Sequence, residues 1–375
     1  MKKYFVFLIT ILLLISLNIV GFGSSEVIKI GLSAPITGNY AEFGENFRYA
    51  TQMAADKINA AGGVRGHKIE IVVMDSKGDP RESALIAQKF VDDKSIIAEI
   101  GDFTSTCCLS AAPIYEAAKM VQLSPTSSHP DFAPSGRFMF GIVGTQAAEG
   151  PFNVKYIAQN YLKLNSVAVI YINNDWGIVT KDRFVKAAEK YGLKVTAEEP
   201  FFEGERDFAA PLTNIRKTNP EGIYIAAMYN EAAIMAHQIQ RLGWDVQLLA
   251  PSSVFSASLL ELGGDTVEGL ATNTFFALNS PDPVVQEFIK EFNKRAGRDP
   301  NLHAACAYDT MGMMAQAIEE AGFDRAAIRD VLAETKDYAG VTGKLTFTEV
   351  GDIVRKYMIM VVENGEWVIK ADYTK

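Results

Sequence analysis

The 375-residue sequence has little histidine, cysteine or tryptophan: four, three and three residues respectively. Its histidines (His67, His129, His237 and His303) are scattered, so no pair has metal-ligand spacing, and no metal or other cofactor is expected. Cys107, Cys108 and Cys306 are too few and too irregular for a disulfide framework. The adjacent Cys107 and Cys108 read as two buried thiols, with a strained vicinal bridge as the rival; Cys306 reads as core. Positive charge is also short. Lys and Arg total 36 against 45 Asp and Glu, a net −9, and no basic stripe tracks a phosphate backbone, so nucleic acid is excluded as a partner. The sequence has no GxxxxGK[ST], no GxGxxG after a strand, no HExxH and no GxSxG. Catalytic triads are spatial rather than sequential, so this argues against an enzyme without excluding one.

With 48% hydrophobic and 22% charged residues, the chain has the composition of a packed globular protein. At about 150 residues per domain, its length suits two domains. The one long apolar run is at the start. Lys2 and Lys3 precede an apolar stretch from Tyr4 to Val20, which exits through Gly21, Gly23, Ser24 and Ser25. That is the layout of a secretory signal peptide over residues 1–25, with a retained membrane anchor as the rival reading. Cleavage would remove Lys2 and Lys3 and take the charge from −9 to −11.

Beyond residue 25, strand and helix signals alternate. Val27–Leu32, Lys68–Asp75, Ile96–Ile100 and Met120–Leu123 read as strands, as do Val167–Ile172, Leu193–Glu198, Gly222–Ala227 and Val246–Leu249. Helical spacing runs between them: Phe47–Asn59, a helix opened by Asp79-Pro80-Arg81-Glu82, Ser105–Lys119, Trp176–Tyr191, Asp207–Lys217 and Asn230–Leu242. Near-continuous apolar strands separated by helices predict an α/β fold of doubly wound parallel sheets covered on both faces. With no low-complexity linker between halves, the lobes are expected to be interwoven.

Open α/β sheets bind ligands beyond the carboxyl ends of their strands. In the first half, Gly101-Asp102-Phe103-Thr104-Ser105-Thr106 follows one strand end and opens a helix, and Ser124-Pro125-Thr126-Ser127-Ser128 follows the next. Their hydroxyls can serve as helix caps, or the two loops can share a carboxylate at a helix N-terminus. In the second half, Asn173-Asn174-Asp175-Trp176-Gly177 and Met228-Tyr229-Asn230 occupy the equivalent places. A tryptophan at such a turn suits a cleft wall, with helix–loop packing as the alternative.

This arrangement resembles the branched-chain amino acid (Leu/Ile/Val) binding family, the periplasmic substrate-binding proteins of ABC importers. The similarity runs through Pro35-Ile36-Thr37-Gly38, Ile58–Gly66, Asp75…Asp79-Pro80, Asn174–Gly177, Gly204…Asp207-Phe208 and Ala307-Tyr308-Asp309. It implies a two-lobed type I periplasmic binding protein with three interlobe crossovers. The expected boundaries are residues 26–145 with 274–348 for lobe 1, and residues 146–273 with 349–375 for lobe 2. It also implies a ligand held in the cleft by hinge closure, a periplasmic location and an ABC-transporter permease as partner. A monomer is expected.

Residue by residue, the resemblance assigns Ser105, Thr126 and Ser128 to a ligand carboxylate and Trp176 to stacking over the ligand. Phe43 and Met228 or Tyr229 would be aromatic or bulky walls and His303 a further wall, while Phe103, with Trp176, Phe43 and Tyr229, could surround a ring without any ammonium clamp. It also implies a glutamate for the ligand's ammonium where this chain has Ser252, with Asp309 as the substitute anion by position. The family's small disulfide is absent, since Gly78 and Thr104 stand at its sites. Without the glutamate, the ligand class stays open between a branched-chain or related amino acid and an amine-free aromatic or other organic acid. A short-chain amide or urea suits the hydroxyl loops less. A soluble sensor docking on a membrane receptor is the alternative role.

Overall fold

The computed structural model describes residues 27–374, so the export segment expected over residues 1–25 lies outside the described residues. The first sheet contains β1 (Val27–Ala34), β2 (Lys68–Asp75), β3 (Ile96–Gly101), β4 (Gln122–Ser124) and β5 (Met139–Gly141). Their order is β2-β1-β3-β4-β5 and every pairing is parallel. Helices α1 (Ala41–Ala60), α2 (Pro80–Asp92) and α3 (Ser105–Ala117) connect the first four. Burial explains the strand composition: Ile30, Leu32 and all of β3 are buried, as a sheet covered on both faces requires. Asp79 caps α2 as its sequence predicts, accepting from the N–H groups of Arg81 and Glu82 at 2.7 and 3.0 Å.

The second sheet repeats this winding. After α4 (Gln146–Phe152) come β6 (Ser166–Ile172), α5 (Asp175–Tyr191), β7 (Lys194–Phe201), α6 (Ala209–Lys217), β8 (Gly222–Ala226), α7 (Tyr229–Arg241), β9 (Gln247–Leu249), α8 (Ala257–Gly263) and β10 (Ala271–Thr274). Strands β7-β6-β8-β9-β10 follow the same order as the first sheet and are parallel. The chain then returns to the first unit, where α9 (Pro283–Ala296) lies against α1 through Arg295 Nη1 to Asp56 Oδ2 at 2.6 Å. Next come α10 (Leu302–Ala321), α11 (Arg325–Ala333) and a small antiparallel pair, β11 (Tyr338–Gly340) and β12 (Gly343–Leu345).

The second sheet departs from the purely parallel expectation. Its edge is completed by β13 (Met358–Glu363), antiparallel to β10, and β14 (Glu366–Asp372), antiparallel to β13. The stretch from β12 to β13 carries no helix, and the β13–β14 pair closes through Asn364-Gly365, whose φ values of 53° and 74° suit a two-residue hairpin turn. Helix α1 also starts earlier than its apolar spacing suggests, at Ala41 instead of Phe47. Beyond Pro151, which has no N–H to give, Asn153–Tyr161 adopts a π-helix.

The chain therefore passes between the sheets three times: after β5, after β10 and before β13. Arg355, on the third passage, gathers all three. Its Nε and Nη2 donate to the Ile142 carbonyl on the first passage at 2.9 and 2.5 Å, and its guanidinium lies 4.1 Å from the Phe275 ring centroid on the second. Nη1 donates to the Thr342 carbonyl at 3.0 Å.

Candidate functional site

Strand order reverses at β1/β3 in the first sheet and at β6/β8 in the second, and a crevice opens at each reversal. Loops leaving β3, β4, β6, β8 and β9 meet around a partly open cavity of about 30 Å³. From the first unit, Phe103, Thr104 and Ser105 line it at the start of α3, with Thr126 and Ser128 from the loop after β4. Thr104 caps α3, accepting from Cys107 N at 3.2 Å, so the positive end of the helix faces the cavity. Thr126 Oγ1 donates to the Phe103 carbonyl at 2.7 Å and ties the two loops together. Ser105 Oγ accepts from His129 N at 3.3 Å, and its own proton has no acceptor among the described residues. Beneath the loop, buried Asp102 accepts from Ser33 Oγ and Ser83 Oγ, both at 2.8 Å. Burial pushes its carboxyl up, against hydrogen bonds from Phe103 N and the surrounding serines.

From the second unit come Trp176, Met228, Ser252 and Ser253. Asn174 starts α5 by accepting from Gly177 N at 2.9 Å. Residue 177 must be glycine, because a Cβ there would lie 2.0 Å from the Ile172 carbonyl oxygen. That tight turn carries Trp176 into the cleft, where its Nε1 donates to Ser128 Oγ of the first unit at 3.1 Å. Another bond joins the two units elsewhere, from Ser256 Oγ to Glu42 Oε1 at 2.9 Å.

Seven of the ten residues singled out in the sequence line this cavity: Phe103, Ser105, Thr126, Ser128, Trp176, Ser252 and His303. Phe43 and Tyr229 stand behind it. The Phe43 ring stacks on Phe103 with centroids 4.1 Å apart, and meets Tyr229 and His303 edge-on at 5.3 and 4.8 Å. Of the two residues weighed after β8, Met228 faces the cavity. His303 is buried with Nδ1 unpartnered, and burial alone pushes its pKa down to about 3, so the ring is neutral.

Asp309 stands elsewhere than its position in the family pattern implies. It does not line the cavity: its carboxylate accepts from Val341 N, Thr342 N and Thr342 Oγ1 at 2.8, 2.9 and 2.6 Å, closing the β11–β12 turn. The carboxylate that does line the cavity is Glu149, on the first turn of α4. Its Oε1 accepts from Ser252 N at 2.8 Å and from Asn273 Nδ2 at 2.9 Å. It stands on a short helix after the first passage, away from any strand end, and the only sequence signal for it was an acid among small residues in Gly144–Gly150.

Comparison with known proteins bears on this geometry. Residues 27–366 match the family model described as a periplasmic binding protein. The chain is 29% identical to the leucine-, isoleucine-, valine-, threonine- and alanine-binding protein of Pseudomonas aeruginosa, over 90% of this chain and 91% of that one. It superposes with a TM-score of 0.87 on a leucine-binding protein of Thermotoga maritima MSB8, at 27% identity and covering 92% of this chain and 99% of that one. An ABC-transporter substrate-binding protein of Desulfitobacterium hafniense in complex with Leu matches with a TM-score of 0.78 and 25% identity, covering 92% and 100% of the two chains.

Proposed function

Because this chain belongs to the periplasmic binding protein family, whose members bind solutes and are not enzymes, we propose that it is an extracytoplasmic receptor for a small carboxylate-bearing solute, a branched-chain or related amino acid. One observation carries the reading. Hydroxyls and the α3 N-terminus from the first unit face Trp176 and Met228 of the second across a single cavity. Such an arrangement offers an anion site on one side and an apolar wall on the other.

In this reading the lobes are residues 26–145 with 274–348, and residues 146–273 with 349–375. A cavity of about 30 Å³ has room for about one water, and in this reading the lobes part to admit a solute. Closure then follows from ligand contacts made to both lobes at once. Residues 1–25 act as a cleaved signal peptide, and the loaded monomer delivers its solute to an ABC-transporter permease. Among the described residues no helix is long and apolar enough to cross a membrane.

The test is thermal-shift screening of the refolded chain from Ser24 onward, refolding serving to strip any bound solute. A ligand at 100 times its dissociation constant adds about 2.7 kcal/mol to folded-state stability. A shift with a branched-chain amino acid that is lost in Ser105→Ala is the expected result. If Ser105→Ala and Ser128→Ala both bind as tightly as the parent, the carboxylate assignment is wrong.

A further inference from the structure

Glu149 sits in the cavity wall without a cation. It is 5% exposed and has no ion-pair partner among the described residues. Both of its hydrogen bonds, from Ser252 N and Asn273 Nδ2, go to Oε1; Oε2 receives none from the described residues. The carboxylate is held in place from behind. Asn273 Nδ2 also donates to Asn153 Oδ1 at 2.8 Å, and Asn153 Nδ2 donates to Tyr224 Oη at 3.2 Å. A carboxylate removed from water and left without a cation is costly unless something supplies the charge.

The carboxylate is also adjacent to the proposed anion site. Gln146, which opens α4, donates its N–H to the Ser128 carbonyl at 3.0 Å, so Glu149 lies one helical turn from the Ser128 loop. The cavity thus offers hydroxyls and a helix N-terminus for an anion, and one helical turn away an unpaired acceptor carboxylate for a cation. Its remaining wall is Trp176, Met228, Phe103 and Tyr357. A molecule with a carboxylate and an ammonium on the same carbon and an apolar remainder matches all three regions.

We propose that Glu149 is the ammonium-binding residue of this receptor, and that the ligand is accordingly an α-amino acid and not an amine-free acid or an amide. The inference rests on the receptor reading above and adds to it the residue that takes the ammonium and so separates amino acids from amine-free acids. Ser252 serves this role through its backbone, fixing the Glu149 carboxylate by its N–H.

Calorimetric titration of the refolded chain with matched pairs tests it: L-leucine against 4-methylpentanoate, L-valine against 3-methylbutanoate, L-phenylalanine against 3-phenylpropanoate. Parent protein is expected to prefer the amine-bearing member of its best pair by on the order of 100-fold. Glu149→Gln keeps an Oε1 acceptor for Ser252 and Asn273, and is expected to bring that preference to within about threefold by weakening amino-acid binding. Urea unfolding of the ligand-free variant confirms that it folds. Equal binding of both members by the parent overturns the inference with no variant needed, as does an unchanged preference in Glu149→Gln. A parent that binds neither member of any pair defeats the receptor reading itself, a different outcome from losing Glu149 alone.

Discussion

Arg355→Met is expected to be the most damaging single change outside the cleft. The guanidinium is fully buried where the three passages between the sheets converge, and three of its four hydrogen bonds end on the Ile142 and Thr342 carbonyls. Methionine keeps much of the stem's packing but leaves those two carbonyls unpaired, at about 1–3 kcal/mol each. It also removes the cation above Phe275, worth about 1–2 kcal/mol when desolvated. Relief from burying a charge offsets part of this, and the expected net loss is about 3–5 kcal/mol. The loss has a pH signature. Burial holds the Asp309 carboxyl up at about 6, and the Arg355 charge is one of the influences pulling it down. Without that charge Asp309 rises further, so Arg355→Met loses more stability above pH 6 than below pH 4. Arg355→Lys keeps the charge but not the two-carbonyl fork, and falls between. Equilibrium urea unfolding at pH 4 and pH 8 measures all three chains. A methionine variant within about 1 kcal/mol of the parent at pH 8 refutes the reasoning.

Two further predictions concern the cleft and its margin. Trp176→Phe removes the donor to Ser128 Oγ but keeps the ring, and is expected to weaken ligand binding about tenfold. Trp176→Ala removes the wall as well and costs on the order of 100-fold by calorimetry; affinities equal to the parent's would remove Trp176 from the site. Glu231, buried in the first turn of α7 with Oε2 unpartnered, has its carboxyl pushed by burial up to about 7 from an ordinary 4.5. The folded chain therefore keeps a proton that the unfolded chain releases between those values, and stability falls as pH rises through that window. Glu231→Gln escapes this loss. It is expected to exceed the parent by about 2–3 kcal/mol at pH 8, with the gap closing near pH 4, and a gap constant across pH contradicts the buried-acid account.

The fold was largely legible because its central strands, β3 and β8 among them, are buried on both faces and its helices carry strong start and stop signals. Asp79-Pro80 marks the start of its helix in the structure as it does in the sequence. Cleft residues that leave strand ends were legible for the same reason: topology decides that Ser105, Thr126, Ser128 and Trp176 converge. Three features were hidden. Glu149 enters the cavity from α4 after the first passage, and local sequence carries no sign of where such a passage leads. Asp309 reads as an available acid until the turn at Val341-Thr342, more than thirty residues on, folds over and satisfies it. Arg355 sits in an irregular stretch where an arginine reads as surface, and only the meeting of Ile142, Phe275 and Thr342 buries it. Each depends on long-range closure, which period and composition do not record.

Titration of the refolded, ligand-free chain with L-leucine, L-isoleucine and L-valine tests the central claim most directly. Saturable one-to-one binding of at least one of them, abolished in the Ser105→Ala, Trp176→Ala double variant, is the predicted result, because in the proposed reading the two residues hold the ligand from opposite sides of the cavity. Binding that survives the double variant, or no binding of any branched-chain amino acid, would contradict it.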